Sequence, residues 1–415
     1  LPYFKKLERF SGGESAYRGG SGPTAVVAPP YTNPLYEIFG RACAEAGYPT
    51  GIDTNGAQQE GFGPMDQNIA GGRRCSTARA YLRPAMARPN LTVATGALAT
   101  RILFEGDRAV GVEYAQGRAL VRAGAGGEVI LGGGAINSPQ LLMLSGIGPA
   151  AELGRHGIAV LQDLPGVGGN LQDHVDVSLK QFCSRPISAS PLLRPVRKFL
   201  IGLEWLLFKT GPGATNQFEM AGYIRTRPEL RQPNVQLCFM PLLVHYDGSA
   251  ASNAHGFQIT VMTLQPKSRG RLSLASADPK AAPLLRFDYL SRPEDLAELR
   301  EGLEALRGII RQKSLDPYRG AELAPGDGAG DLESYIRATG KSTHHPCGTC
   351  AMGTDPDAVV DGEGRVHGIR GLRVIDASIM PAITSGNINA PTIMIAEKLA
   401  DRIRGRMPLA SETPS

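Results

Sequence analysis

The chain of 415 residues carries 42% hydrophobic and 20% charged residues, ordinary values for a globular protein with room for two or three domains or one interleaved unit. Its 44 basic against 39 acidic residues leave a formal charge of +5 with the cations scattered, which argues against a nucleic-acid surface. Six cysteines are too few for a disulfide framework and favour a reducing, cytoplasmic setting. The opening Leu1-Pro2-Tyr3-Phe4-Lys5-Lys6 has neither an initiator Met nor a signal peptide and reads as an interior segment.

In chain order, Asn33 to Ala46 predicts a capped helix, with Asn33 as cap, Pro34 in the first turn, and Leu35, Ile38, Phe39 and Ala42 at helical spacing. From Leu91 the texture turns to short β-rich runs: Leu91 to Val93, Arg101 to Phe104, Ala109 to Tyr114 and Glu128 to Leu131. Ser138 and Pro139 predict a helix start. Residues 175–290 read as strands with helical inserts, among them Phe257 to Val261 and Arg271 to Leu274. The apolar run from Phe199 to Phe208, flanked by Arg194, Arg197, Lys198 and Lys209, is too short and charged to span a bilayer but suits a peripheral membrane contact. Leu296 to Ile310 repeats at helical spacing, Leu372 to Ile375 is a strand, and a final helix opens near Pro391.

Three stretches bring a strand into a turn and a helix. Glu128 to Gly148 runs an apolar strand into Gly132, Gly133 and Gly134, a turn that lets a ligand approach the backbone ahead of a helix terminus. Leu164 to His174 is a polar turn in which His174 reads as structural. Val374-Ile375-Asp376-Ala377-Ser378 followed by Ser385-Gly386-Asn387-Ile388-Asn389-Ala390-Pro391-Thr392 sets a carboxylate at a strand end and aims the final helix's positive end at whatever precedes it. Ser342 to Gly353 (STHHPCGTCAMG) admits three chemistries on its residues alone. Cys347, Cys350 and a His could ligate zinc, the two cysteines could form a redox pair, or His345 could be a general base with the cysteines as packing.

The Glu128–Gly148 string resembles, position for position, a signature of the glucose–methanol–choline oxidoreductase family, and the likeness runs along essentially the whole chain. It implies an α/β (α+β) fold in which an interleaved, Rossmann-like flavin-binding domain, here incomplete, joins a substrate-binding domain with an antiparallel sheet. The domain reading is 1–90 linker, cap and substrate-domain elements; 91–174 flavin domain; 175–340 substrate domain; 341–404 flavin domain with the catalytic motifs; and 405–415 tail. By the same resemblance His345 is the base and Asn389 its partner, and no metal is expected. Ala99, Gly134, Asp376, Ala377, Asn389, Ala390 and Thr392 would contact FAD, and Glu219 would face the substrate. Gln265 stands where some choline oxidisers carry a further active-site His.

The implied reaction is FAD-dependent oxidation of a primary alcohol, choline or an aliphatic one, to the aldehyde by hydride transfer. Quinone, oxygen and a soluble carrier all stay open as electron acceptor. The family's Gly-x-Gly-x-x-Gly turn, which binds the ADP half of FAD, does not occur in the 415 residues. The expectation is therefore a chain without its amino-terminal FAD-binding segment and with weak FAD binding, and a non-catalytic remnant or scaffold subunit is the alternative.

Overall fold

In the computed structural model, which describes residues 1–245, 254–326 and 331–412, alternating stretches of the chain build two large hydrophobic cores, with a small third cluster at Ala189, Met240 and Leu242. The first surrounds a seven-stranded antiparallel sheet in the order Arg319–Ala324, Val175–Cys183, Gly256–Thr263, Val235–Met240, Met220–Ile224 and Gly61–Pro64, with Lys341–Ser342 also paired to Val175–Cys183. Helices Pro34–Glu45 and Pro293–Ile310 supply apolar faces to this core, burying Leu35, Ile38, Phe39 and Ala42 from one and Leu296, Leu299, Leu303 and Leu306 from the other. Three- and four-residue spacing places each set on one side of its helix. The contact is close: a Cβ on Gly302 would stand 2.6 Å from Val261. Truncating the fully buried Leu303 to Ala would cost about 2–5 kcal/mol through the cavity left behind.

The Pro34 helix starts as its sequence predicts, with Asn33 accepting a hydrogen bond from Leu35 N at 2.9 Å. Two other expectations are corrected. Leu91 to Val93 is not a strand; the strand is Ala97–Glu105, and residues 91–93 are exposed without a ladder partner. The helix expected to start at Pro139 spans Gly134–Leu144, so Pro139 lies inside it. A proline there cannot donate to Ala135 O. The hydroxyl of Thr349 does so instead, at 2.6 Å, and the helix continues.

The second core gathers around the parallel pair Val129–Leu131 and Leu372–Val374 and the Gly134–Leu144 helix. Leu272 and Leu274 pack here too, although they fall within the 175–340 stretch assigned to the substrate domain. The mixed α/β architecture with an antiparallel sheet is the fold anticipated above. One element stands apart: helix Pro195–Phe208 buries none of its residues and exposes Val196, Phe199, Leu200, Leu203, Leu206, Leu207 and Phe208. Among the described residues no helix is long and apolar enough to cross a membrane.

Candidate active site

A cavity of about 1520 Å³ is lined by Tyr223 of strand Met220–Ile224 together with His345, Ser385, Asn387, Asn389 and Ala390 from the carboxyl-terminal part of the chain. Pockets for one small ligand are usually about 300–1,000 Å³, so this one has room for a large cofactor together with a substrate.

Its most constrained wall is His345. His344, at φ 61°, occupies the left-handed region and turns the chain immediately before it. Past that turn the His345 amide donates to Asp173 Oδ1 at 2.8 Å. The other oxygen of Asp173 accepts from Tyr289 at 2.6 Å and from the hydroxyl of Ser342. The imidazole is held on both nitrogens. Nδ1 lies 3.0 Å from His174 Nδ1 and 2.9 Å from Thr343 Oγ1, while Nε2 lies 3.3 Å from Asn387 Nδ2. Burial lowers the His345 pKa from its ordinary value, and the charge of nearby His344 adds to that, against an opposing pull from Asp173. The ring is therefore neutral at physiological pH, the form a general base requires.

Residues 170–174 grip both halves of the site. Gln172 pairs its backbone with Cys347, donates from Nε2 to Pro381 O at 3.1 Å, and accepts from Ile383 N at 3.1 Å. His174 spans the same gap, its Nε2 lying 3.1 Å from Thr384 O. Gly348, at φ 91°, allows the close approach, since a Cβ there would stand 2.4 Å from Asn170 O. In the sequence Asp173 and His174 read as a polar turn; the signal that reveals them is an acid and a histidine side by side in a loop joining two domains.

The expected partner of His345 is corrected. Asn389 donates to Asn68 Oδ1 at 3.1 Å, and the residue reaching the imidazole is Asn387. Gln236, almost fully buried, donates to both Tyr223 Oη at 3.0 Å and Asn387 Oδ1 at 3.4 Å, which turns the Asn387 amide nitrogen toward His345.

Of the residues expected at the flavin, Asn389, Ala390 and Thr392 line the cavity. They open the 15-residue helix Asn389–Ile403, whose start carries no side-chain cap. Such a terminus offers free amide donors and partial positive charge. Arg73, Arg74 and Arg79 line the same cavity, and its acids Glu8 and Asp66 are engaged by Arg18 at 2.8 and 2.7 Å. That donor set fits an anionic cofactor. Gly134, Asp376 and Ala377 are not on the cavity wall: Asp376 accepts from Gly134 N at 2.9 Å, Ser138 Oγ at 2.6 Å and Ser378 N at 2.7 Å, tying the glycine turn to the segment after Leu372–Val374. Ala99 is an exposed residue of strand Ala97–Glu105.

Glu219 is fully buried, its two oxygens accepting from Thr32 N at 2.6 Å and Thr32 Oγ1 at 2.7 Å, and it does not line the cavity. Gln265 donates to Ser385 Oγ at 2.9 Å. Cys347 and Cys350 are wholly buried free thiols, and burial pushes the Cys347 pKa up to about 12 and that of Cys350 higher still, so both act as packing.

Comparison with known proteins matches residues 1–176 and 266–396 to the amino- and carboxyl-terminal profiles of GMC oxidoreductases. Because the first match begins at residue 1, the expected lack of an amino-terminal FAD-binding segment is not borne out. A protein from Burkholderia ambifaria named oxygen-dependent choline dehydrogenase is 52% identical over 99% of this chain and 73% of its own length. The crystal structure of pyridoxine 4-oxidase from Mesorbium loti superposes with a TM-score of 0.87 at 30% identity, covering 98% of this chain and 77% of that one. An FAD-dependent oxidoreductase from Chaetomium thermophilum superposes with a TM-score of 0.87 at 25% identity, covering 98% and 80%.

Proposed function

The chain belongs to the GMC oxidoreductase family, and we propose that it oxidises a primary alcohol to the aldehyde with His345 as general base and Asn387 as its partner. It is an FAD-dependent oxidoreductase acting on CH–OH donors. Asn389 and Ala390, with the uncapped helix start behind them, would hold the flavin's electron-rich edge, and Arg73, Arg74 and Arg79 suit its phosphates. The bound flavin supplies the two-electron acceptor that takes the α-hydrogen as hydride.

The chain's own work is proton handling and orientation. His345 Nε2 takes the hydroxyl proton, and the Asn387 amide donates to the alcohol oxygen, turning the C–H bond toward the cofactor. Loss of that proton and that hydride converts R–CH2–OH to R–CHO. The observation that carries the assignment is His345 among the residues that line the cavity, with its Nε2 3.3 Å from the Asn387 amide. The test is His345→Ala in the flavin-loaded enzyme, where turnover should fall about 10²–10⁴-fold with bound flavin retained. Native turnover in that variant would refute the role.

Choline is the first substrate to try, with oxygen as acceptor, on the strength of the choline dehydrogenase relative. Glu219 is held by Thr32 and not on the wall, so the cavity's neutral side chains Tyr223, Ser385 and Asn387 extend the reading to uncharged primary alcohols. Flavin reduction by choline and by short aliphatic alcohols, followed side by side, separates the two classes.

The same reading includes a peripheral contact with an anionic bilayer through helix Pro195–Phe208. Val196, Leu200, Leu203 and Leu207 form one stripe at helical spacing, all exposed, and Arg194, Arg197 and Lys198 are exposed beside them. Trp205 Nε1 donates to Gly72 O at 2.7 Å and anchors the helix to the body.

A further inference from the structure

We propose that His174 is a positioning residue that fixes His345 in its Nδ1–H tautomer and so makes Nε2 the atom that takes the substrate proton. This inference rests on His345 being the base.

A proton count around the two rings fixes the tautomer. His174 Nε2 lies 3.1 Å from Leu264 O and 3.1 Å from Thr384 O, and carbonyl oxygens only accept, so Nε2 carries a hydrogen. His174 is wholly buried, and burial, reinforced by the nearby His345, pushes its pKa down to about 4. The neutral ring has one N–H, already placed on Nε2, so His174 Nδ1 is a bare acceptor. His345 Nδ1 sits 3.0 Å from it and must donate, since two lone pairs at that distance repel.

Thr343 agrees. Its hydroxyl donates to His174 O at 3.2 Å, which leaves its oxygen to accept from His345 Nδ1 at 2.9 Å. Both neighbours of His345 Nδ1 therefore want a proton there. The remaining nitrogen, Nε2, faces the Asn387 amide donor and carries the lone pair. A bare Nε2 beside Asn387, on a residue that lines the cavity, is what an alcohol O–H needs to meet. The second nitrogen's hydrogen bond sets which tautomer a histidine adopts, and a catalytic histidine in the wrong tautomer can lose about 10⁴-fold in turnover.

The rings meet edge to face, with centroids 5.2 Å apart and planes at 90°. His174 also has its backbone carbonyl tied to Thr343, so one residue controls both partners of Nδ1. Nothing in this arrangement requires His174 to touch the substrate.

The test labels the imidazole nitrogens of the seven histidines with ¹⁵N in the flavin-loaded protein and reads the His345 tautomer, assigned by its loss in His345→Ala. The expected spectrum shows Nδ1–H at His345 and Nε2–H at His174. An Nε2–H signal at His345 overturns the proposal, and needs no variant at His174 to fold. Kinetics give the second arm. His174→Gln keeps an acceptor toward His345 and a donor toward the carbonyls, whereas His174→Phe keeps neither. The Gln enzyme should stay within a few-fold of native kcat/KM, and the Phe enzyme should lose at least about tenfold in kcat with little change in KM. Equal activity of the Phe, Gln and native enzymes contradicts the proposal. Failure of the base reading looks different: His345→Ala would then keep turnover whatever the tautomer spectrum shows.

Discussion

Two parts of the cavity wall, the histidine and the helix start, are finished to different degrees. At the histidine the protein supplies its own partners: Asp173 holds the His345 backbone, His174 and Thr343 hold Nδ1, and Gln236 turns Asn387 toward Nε2. At the helix start, Asn389 and Ala390 are exposed with no side-chain cap, and Arg73, Arg74 and Arg79 line the same cavity, whose acids Glu8 and Asp66 are engaged by Arg18. The difference is the one expected on the proposed reading, in which the catalytic group must be rigid before substrate arrives and the last donors of the cofactor site are satisfied by the cofactor itself.

The comparison can be broken by substitution, and the variants separate by size of effect. His345→Ala should remove about 10²–10⁴-fold of turnover, because it deletes the base itself. Asn387→Ala should cost about 10²–10³ in kcat, the loss typical of one donor to the reacting oxygen, as read by steady-state kinetics. If Asn387→Ala left kcat at the native level while Asn389→Ala lowered it, the pairing of Asn387 with His345 would be wrong. Asn389→Ala should act on the helix start, lowering flavin occupancy more than the rate of reduction per bound flavin. Absorbance of the purified variant measures the first and stopped-flow the second.

Acidity offers a subtler probe of the histidine. Protonation of Nε2 blocks the base, and burial holds the His345 pKa below its usual value of about 6.5. The acid limb of kcat/KM should accordingly lie below pH 6.5, with activity present above the limb and lost as pH falls through it. Asp173, which pulls the other way, sets how far below. A limb well above 6.5 would show that another group controls the profile. The smallest effect concerns neither part. Leu203→Glu with Leu207→Glu should abolish co-sedimentation with phosphatidylglycerol vesicles while leaving activity on a soluble alcohol near native. Native protein that stays in the supernatant with those vesicles would rule out the bilayer contact.

How far the sequence reached depends on the range of the interaction. Local signals were legible. The Asn33 cap and Pro34 describe the start of their helix because both act within one turn, and His-Pro-Cys-Gly-Thr is a compact string that offers His345 as a candidate, its role as base coming only with the family resemblance. The site residues that were not legible depend on partners far along the chain. Ser-Gly-Asn-Ile-Asn holds two asparagines two residues apart, and only the placement of the helix start decides which one turns toward His345. Residue 389 begins the helix, whereas 387 lies in the turn before it, where Gln236 reaches it from a strand 151 residues away. His174 meets His345 across 171 residues and Glu219 meets Thr32 across 187, so neither the tautomer lock nor the burial of that carboxylate can be seen in a local window. Pro139 reads as a helix start for a similar reason. A proline inside a helix is tolerated here only because Thr349, 214 residues away, takes the carbonyl that the proline leaves open.

The central claim is that His345, aided by Asn387, accepts the substrate proton as the flavin is reduced. Anaerobic stopped-flow reduction of the flavin-loaded His345→Ala enzyme by choline, and by a short primary alcohol, tests it most directly. The account predicts a native flavin spectrum at the start and a reduction rate lowered by about 10²–10⁴-fold, with the native enzyme reduced normally in parallel. A flavin reduced at the native rate in the absence of that imidazole would contradict it.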